Sequence, residues 1–238
     1  MTYDPSFPPQ PLKLACVDTS TFTESIALVE GNEVRGERLI RRPRGHASGL
    51  HRDLDDLLQE LEWSLEDLDG FVCGIGPGSF TGMRVGLAAF KGLAYALQRP
   101  LYGVPTPYAL LHAARQEHAL AVIDARRGEV YVHGYGFQTP SCLPAQDVIA
   151  HFKRIELSPS LLIGEGALAH QALFKQAWPD LDLPIDSAFH CPRASFLVPY
   201  IQKPSDLSSL EPIYVRQSDA EINYPDGFPS EARLFKSK

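Results

Sequence analysis

The sequence predicts a mixed α/β protein carrying a repeated unit. Three observations point there. Strand-like apolar runs alternate with helix-spaced stretches in the order β-β-β-α-β-α-β-α over the first half. "LACVDTSTFTESIALV" then recurs in pattern as "LAVIDARRGEVYVHGY": a strand ending in Asp, a polar turn and a second strand, with Asp124 standing where the first copy has Asp18. This fits an internal duplication, or two ordinary hairpins of similar pattern. Hydrophobic residues make up 44% of the 238, enough for a sizeable core.

Each element has its own signal. Residues 1–11 are proline-rich and read as disordered. "LKLACVDTS" is a buried strand, and "ESIALVEGNEVRGERLI" is two more strands joined by a Gly-Asn turn. "RRPRG" is a loop. From Ala47 to Trp63, Leu50, Leu54, Leu57, Leu58 and Leu61 recur at helical spacing. "FVCGIG" is a short strand, the stretch after it a helix, "RPLYGV" a strand and "TPYALLHAARQ" a helix. After the second hairpin come a loop, a helix near 144–153, the strand "SLLIGEG", a helix to about Trp178, and a loop rich in Pro, Asp and Ser. "ASFLVPYIQK" is a short helix and "EPIYVRQ" a strand-like end; from Ser218 the chain is a polar tail.

Charge and cysteine use narrow the function classes. The net charge is −7, whereas a protein that binds nucleic acid over its whole surface is basic. One local exception lies between Gly31 and Arg52, where six arginines face two glutamates for a net +4. It is a solvated hairpin and loop, or a local RNA contact through Arg41, Arg42 and Arg44. Cys16, Cys73, Cys142 and Cys191 are widely spaced and form no CxxC pair, which suits reduced thiols in a cytoplasmic protein. The N-terminus lacks the apolar stretch of a signal peptide, and no run of about 18 apolar residues could cross a membrane.

The segment "GIGPGSFTGMRVGLAAFKGLAYAL" (74–97) holds the main chemical candidates. Gly74, Gly76 and Gly78 follow a strand and precede a helix, with Ser79 and Thr81 as caps; backbone N–H groups at such a place attract phosphate. The Walker pattern fails, because Met83 and Arg84 follow Gly82, and the dinucleotide spacing lacks its third glycine. The segment is thus a structural turn or a phosphate turn. Ser79 has Pro77 and Thr81 where an esterase elbow needs glycines. No histidine pair has the three- or four-residue helical spacing of metal ligands: His46 and His51 are five apart, His112 and His118 six. Asp18 and Asp124 either cap their turns or face phosphate, as such aspartates do in actin-like phosphotransferases. In the helix, Gly82, Gly86 and Gly92 each cost about 1 kcal/mol relative to Ala. A close neighbour must offset that, either inside the chain or on another protein.

Together "LACVDTS", "GIGPGSFTGMRVGLAAFKGLAYAL", "GVPTPYALL" and "VIDARRGEVYV" resemble the TsaB (YeaZ) family, over about Leu14 to Tyr135 and in the family's order; "LLIGEG" and "PIYVR" extend the likeness. The resemblance implies a duplicated actin/Hsp70-like (ASKHA) fold, its lobes with mixed sheets flanked by helices: a first lobe at 12–105, a second at 106–217, and a flexible tail at 218–238. It implies a bacterial, cytoplasmic role in forming threonylcarbamoyladenosine beside the tRNA anticodon. The family looks like a degenerate paralogue of TsaD. In TsaD, the helix matching "GVPTPYALLHAA" carries two metal-binding histidines four residues apart; here only His112 is present. No tightly bound cofactor or metal is therefore expected on this chain, and ATP and metal are expected on partner subunits.

The implied division of labour has TsaD transferring the threonylcarbamoyl group, TsaE supplying an ATPase, and the TsaB chain serving as a non-catalytic scaffold that pairs with itself when TsaD is absent. The family's contact uses the two helices of the first lobe, carried here onto Leu50, Leu54, Leu57, Leu58, Gly82, Met83, Gly86, Phe90 and Leu93. The rival reading is an actin-fold enzyme whose own nucleotide lies on Asp18, Thr19, Ser20, Gly76, Gly78 and Ser79. A stand-alone tRNA-binding module is a third. Nothing supports the family's older glycoprotease-like peptidase label.

Overall fold

In the computed structural model, residues 11–41 and 49–216 are described. The expected disordered start (save Pro11), the tail from Ser218, Arg42 and Arg44 lie outside them. A five-stranded sheet has the order β3-β2-β1-β4-β5, and a four-stranded sheet the order β8-β7-β6-β9. In the first, β1 (Lys13–Asp18), β2 (Thr23–Glu30) and β3 (Glu33–Arg41) form an antiparallel meander, and β4 (Gly70–Gly74) and β5 (Leu101–Val104) add in parallel. In the second, β6 (Ala119–Arg126), β7 (Glu129–Gly134) and β8 (Phe137–Pro144) repeat that meander, and β9 (Leu161–Ile163) adds in parallel to β6. The duplication suggested by the two Asp hairpins is thus present in strand order and direction. Asp18 ends β1, and Asp124 holds the corresponding place two residues before the end of β6.

Alternation along the strands assigns each face a partner. Ala15, Val17, Ile26, Leu28, Phe71 and Cys73 face α1 (Leu50–Glu60) and α2 (Phe80–Leu97). Leu14, Cys16, Ala27, Val29 and Val72 face the opposite way, onto a 3₁₀ turn at Ala194–Tyr200 and onto Ala109 of α3 (Pro107–Ala114). The neighbouring Leu110 of α3 packs with Ala121, Ile123 and Tyr131 of the second sheet. So α3 lies between the sheets and fastens them together. The far face of the second sheet is covered by α4 (Ala145–Arg154), α5 (Glu165–Ala169) and α6 (Gln171–Ala177).

Three expectations are corrected. Residues 137–144 form edge strand β8 rather than a loop; its prolines are tolerated because an edge strand need not donate on both sides. "EPIYVRQ" forms no strand over its described residues but a strap without regular secondary structure. Residues 194–213, assigned to the second lobe, pack largely on the first sheet: Leu197 under β1 and β4, and Leu207, Leu210 and Ile213 against the α1–α2 core.

Candidate functional site

The turn after β4 closes on the turn after β1. Asp18 is fully buried, and its carboxylate accepts from the Ser20 amide (2.8 Å), the Ser20 hydroxyl (2.6 Å) and the Thr106 hydroxyl (2.7 Å). Thr106 Oγ1 in turn accepts from the Gly76 amide at 3.1 Å. The Ser79 amide donates to the Ser20 carbonyl at 2.6 Å, and a Cβ on Gly78 would lie 2.3 Å from that same oxygen. Gly76–Pro77 is a cis peptide. Ser79 caps α2, its hydroxyl accepting from the Gly82 amide at 3.2 Å. The sequence brings Asp18, Thr19, Ser20, Gly76, Gly78 and Ser79 together as expected. The Asp18 carboxylate and the Ser20, Gly76 and Ser79 amides are hydrogen-bonded within this cluster and to Thr106.

The glycines of α2 are explained by the same packing, which corrects their assignment to a partner contact. A Cβ on Gly82 would sit 2.0 Å from the Thr19 carbonyl oxygen, and one on Gly86 would sit 2.3 Å from Thr19 Oγ1. That hydroxyl donates to the Gly82 carbonyl at 2.7 Å, so strand end and helix share one buried contact. Met83 and Phe90 are buried as well, Phe90 edge-on against Phe71, and Leu50, Leu54, Leu57 and Leu58 lie within the first core at 2–3% exposure. Only Leu93 of the nine contact residues retains partial exposure. The glycines and leucines serve the fold because α1 and α2 need their apolar faces to cover the first sheet.

The outward side of α2 is a different set: Arg84, Ala88, Gly92, Tyr95 and Ala96, edged by Val85 and Ala89. Tyr95 is 72% exposed, and a Cβ on Gly92 would meet nothing within 4 Å. No residue of the helix is acidic. This is an exposed, small-residue, basic face on an acidic chain.

The second Asp hairpin is more open. Asp124 Oδ1 accepts from the Arg126 amide at 2.8 Å, which turns the chain into the left-handed conformation at Arg126, Arg127 and Gly128 (φ 66, 56 and 81°). Arg126 stacks on Phe22 of the first hairpin, 4.3 Å from its ring centre. Glu165, at the start of α5, accepts from the Phe22 amide. Burial, then the nearby Asp124 charge, push the Glu165 carboxyl up to about 7, against smaller opposing effects of Phe22, Arg126 and Arg41. Arg41 is exposed at the end of β3. Arg35 pairs with Glu30, and Arg38 with Asp56 and Glu60, so part of the arginine patch is neutralised within the chain.

The Glu165 shift sets a pH dependence. Between about 4.5 and 7 the native state holds a proton there that the unfolded chain releases, so this group's contribution to stability falls as pH rises through that window. Glu165→Gln removes the fall. Chemical denaturation at pH 5 and pH 8 should show the wild type losing up to about 3 kcal/mol more than the variant over that interval, less whatever solvent screens. Equal losses would place the Glu165 carboxyl at its ordinary value.

His112 packs against Phe196 (4.9 Å) and Tyr200 (5.9 Å). Burial and then Arg115 hold its pKa below the usual value. Among the described residues no group of three or more His, Cys, Asp or Glu is placed to hold a metal. None of the four cysteines is in a disulfide, and burial pushes the thiols of Cys16 and Cys73 far up. The sequence reading missed Thr106, Phe22 and Glu165. "LLIGEG" was a visible motif, but only the fold brings its Glu against Phe22.

The family model for TsaD, tRNA N6-adenosine threonylcarbamoyltransferase, matches residues 41–193. The tRNA threonylcarbamoyladenosine biosynthesis protein TsaB of Escherichia coli is 32% identical over 184 residues, covering 71% of this chain and 75% of that protein. Its Bacillus subtilis counterpart is 27% identical, covering 90% and 98%. The structure of YeaZ from Pseudomonas aeruginosa superposes with a TM-score of 0.66 at 25% identity, covering 85% of this chain and 99% of that one. Component A of (R)-2-hydroxyglutaryl-CoA dehydratase from Acidaminococcus fermentans, at 8% identity and TM-score 0.53, covers 80% and 97% and shares the fold alone. The two mixed sheets are those of the duplicated actin/Hsp70-like fold.

Proposed function

Because this chain belongs to the TsaB (YeaZ) family and so to tRNA threonylcarbamoyladenosine biosynthesis, we propose that it serves that modification as a non-catalytic scaffold bound to TsaD, with TsaE joining the pair. The observation that carries this reading is the closed turn. The Asp18 carboxylate and the Gly76 and Ser79 amides are engaged by Ser20 and Thr106, and the Thr19–Gly82–Gly86 contact packs α2 tightly against the turn. A phosphate-binding turn needs its backbone amides turned to an open concavity. ATP and the metal are assigned to the partner subunits.

The partner surface proposed for TsaD is the outward face of α2. An exposed glycine with open space around it costs the helix about 1 kcal/mol relative to Ala and gains nothing within the chain. A closely approaching partner gives it a use. A second copy of this chain would occupy the same face when TsaD is absent. The setting is the cytoplasm, and tRNA reaches the chain through the complex, with Arg41, Arg42 and Arg44 as the proposed contact.

Calorimetric titration of the purified chain with ATP and Mg²⁺ tests the scaffold reading. The expected result is no saturable binding tighter than roughly 1 mM, about −4 kcal/mol. A dissociation constant near 1 μM, about −8 kcal/mol, would favour the nucleotide-dependent enzyme instead.

A further inference from the structure

Arg84 stands at the N-terminal end of the outward α2 face and is exposed. Its guanidinium is nonetheless held in place. It lies 3.9 Å over the Phe80 ring and 5.6 Å from the Tyr214 ring centre, and its Nε donates to the Tyr214 hydroxyl at 2.9 Å. Phe80 and Tyr214 contact each other at 4.9 Å.

Tyr214 is itself fixed, because the strap that carries it is tied on both sides. The Ser205 amide donates to the Leu101 carbonyl at 2.8 Å, and the Ile213 amide to the Ile75 carbonyl at 2.8 Å. Ile213 packs on the first core and Val215 on the second sheet. Beyond them, Arg216 Nη1 donates to the Ala125 carbonyl (2.9 Å) and to Glu129 (2.7 Å). The "PIYVR" motif therefore places one aromatic hydroxyl against one guanidinium.

With Nε occupied, the Nη edge of Arg84 is left, and among the described residues no carboxylate pairs with it. A guanidinium already fixed in direction loses little conformational freedom on binding, and its planar fork matches a carboxylate. Positions 84, 88 and 92 share one helix face, so Arg84 is continuous with the small-residue stripe. The helix carries Arg84 and Lys91 and no acid, which suits an acidic counterpart.

We propose that Arg84, set by Phe80 and Tyr214, is the anchor of the docking face and receives an aspartate or glutamate side chain of the partner protein as a bidentate pair. This rests on the TsaD-docking reading given above.

The test is titration of the full chain with its TsaD at two salt concentrations, with circular dichroism of each variant. Arg84→Gln should weaken association at least tenfold and flatten its salt dependence. Arg84→Lys, which keeps the charge but loses the fork, should recover only part. Tyr214→Phe, which removes only the hydroxyl, should weaken association about three- to tenfold. Ala88→Arg reports on the docking face itself. If Ala88→Arg blocks association while Arg84→Gln and Arg84→Lys stay within twofold of wild type, the anchor is overturned and the docking face stands. If none of the variants alters association, both fall. If Arg84→Gln lowers tRNA binding by the complex while protein association is unchanged, the guanidinium serves a phosphate and the proposal is wrong.

Discussion

Replacing Gly86 by leucine should unfold the chain, not merely uncouple it from a partner. The added Cβ alone would stand 2.3 Å from Thr19 Oγ1, and that hydroxyl is bonded to the Gly82 carbonyl at 2.7 Å within the core. Helix and strand end must separate to admit the side chain. Separation breaks the buried hydrogen bond, worth about 1–3 kcal/mol when its partners are left unsatisfied. Overpacking adds about 1–3 kcal/mol. Together these remove a large part of the roughly 5–15 kcal/mol that holds a typical domain. Gly82→Leu should be at least as damaging, since its Cβ would meet the Thr19 carbonyl oxygen at 2.0 Å and a backbone atom yields less readily than a hydroxyl. The measurement is a thermal melt by circular dichroism. A cooperative transition within a few degrees of wild type would show that Thr19 is not the constraint on this helix.

The contrast between Gly86 and Gly92 shows what was legible in the sequence. The cost of glycine in a helix announces that something approaches closely, but not from which side. For Gly82 and Gly86 the neighbour is Thr19, more than sixty residues earlier and invisible to any local pattern. For Gly92 the space is open. The family resemblance indicated a docking helix, and the residues first assigned to it are those on its inner face. Leu50, Leu54, Leu57 and Leu58 present the same ambiguity, because a leucine stripe marks a face to be covered and the first sheet covers it.

Strand order was more readable. Asp18 and Asp124 marked the two equivalent hairpins because each follows a buried apolar run close to a polar turn, and the sheets repeat accordingly. β8 escaped because Pro140 and its polar neighbours suit an edge strand and a loop equally well. The strap escaped because its order comes from scattered ties to Leu101, Ile75 and Glu129 rather than from a periodic pattern. Thr106 and Glu165 acquire their roles only when β1, β5 and α5 converge.

The second large effect belongs to Ala88, at the middle of the outward face. Arginine is a good helix former, and Ala88 is exposed, so Ala88→Arg should leave the isolated chain within about 0.5 kcal/mol of wild-type stability. In a closely packed interface the same change forces a long side chain where only a methyl group fits, and overpacking of this kind costs about 1–3 kcal/mol or more. That corresponds to a weakening of roughly five- to 150-fold.

Association of the Ala88→Arg chain with its own TsaD, measured by calorimetric titration and size-exclusion chromatography beside the wild type, decides whether the outward face of α2 is where TsaD docks. The expected result is a folded variant with an unchanged melt that no longer co-elutes with TsaD. A folded variant that binds TsaD as tightly as the wild type would contradict it.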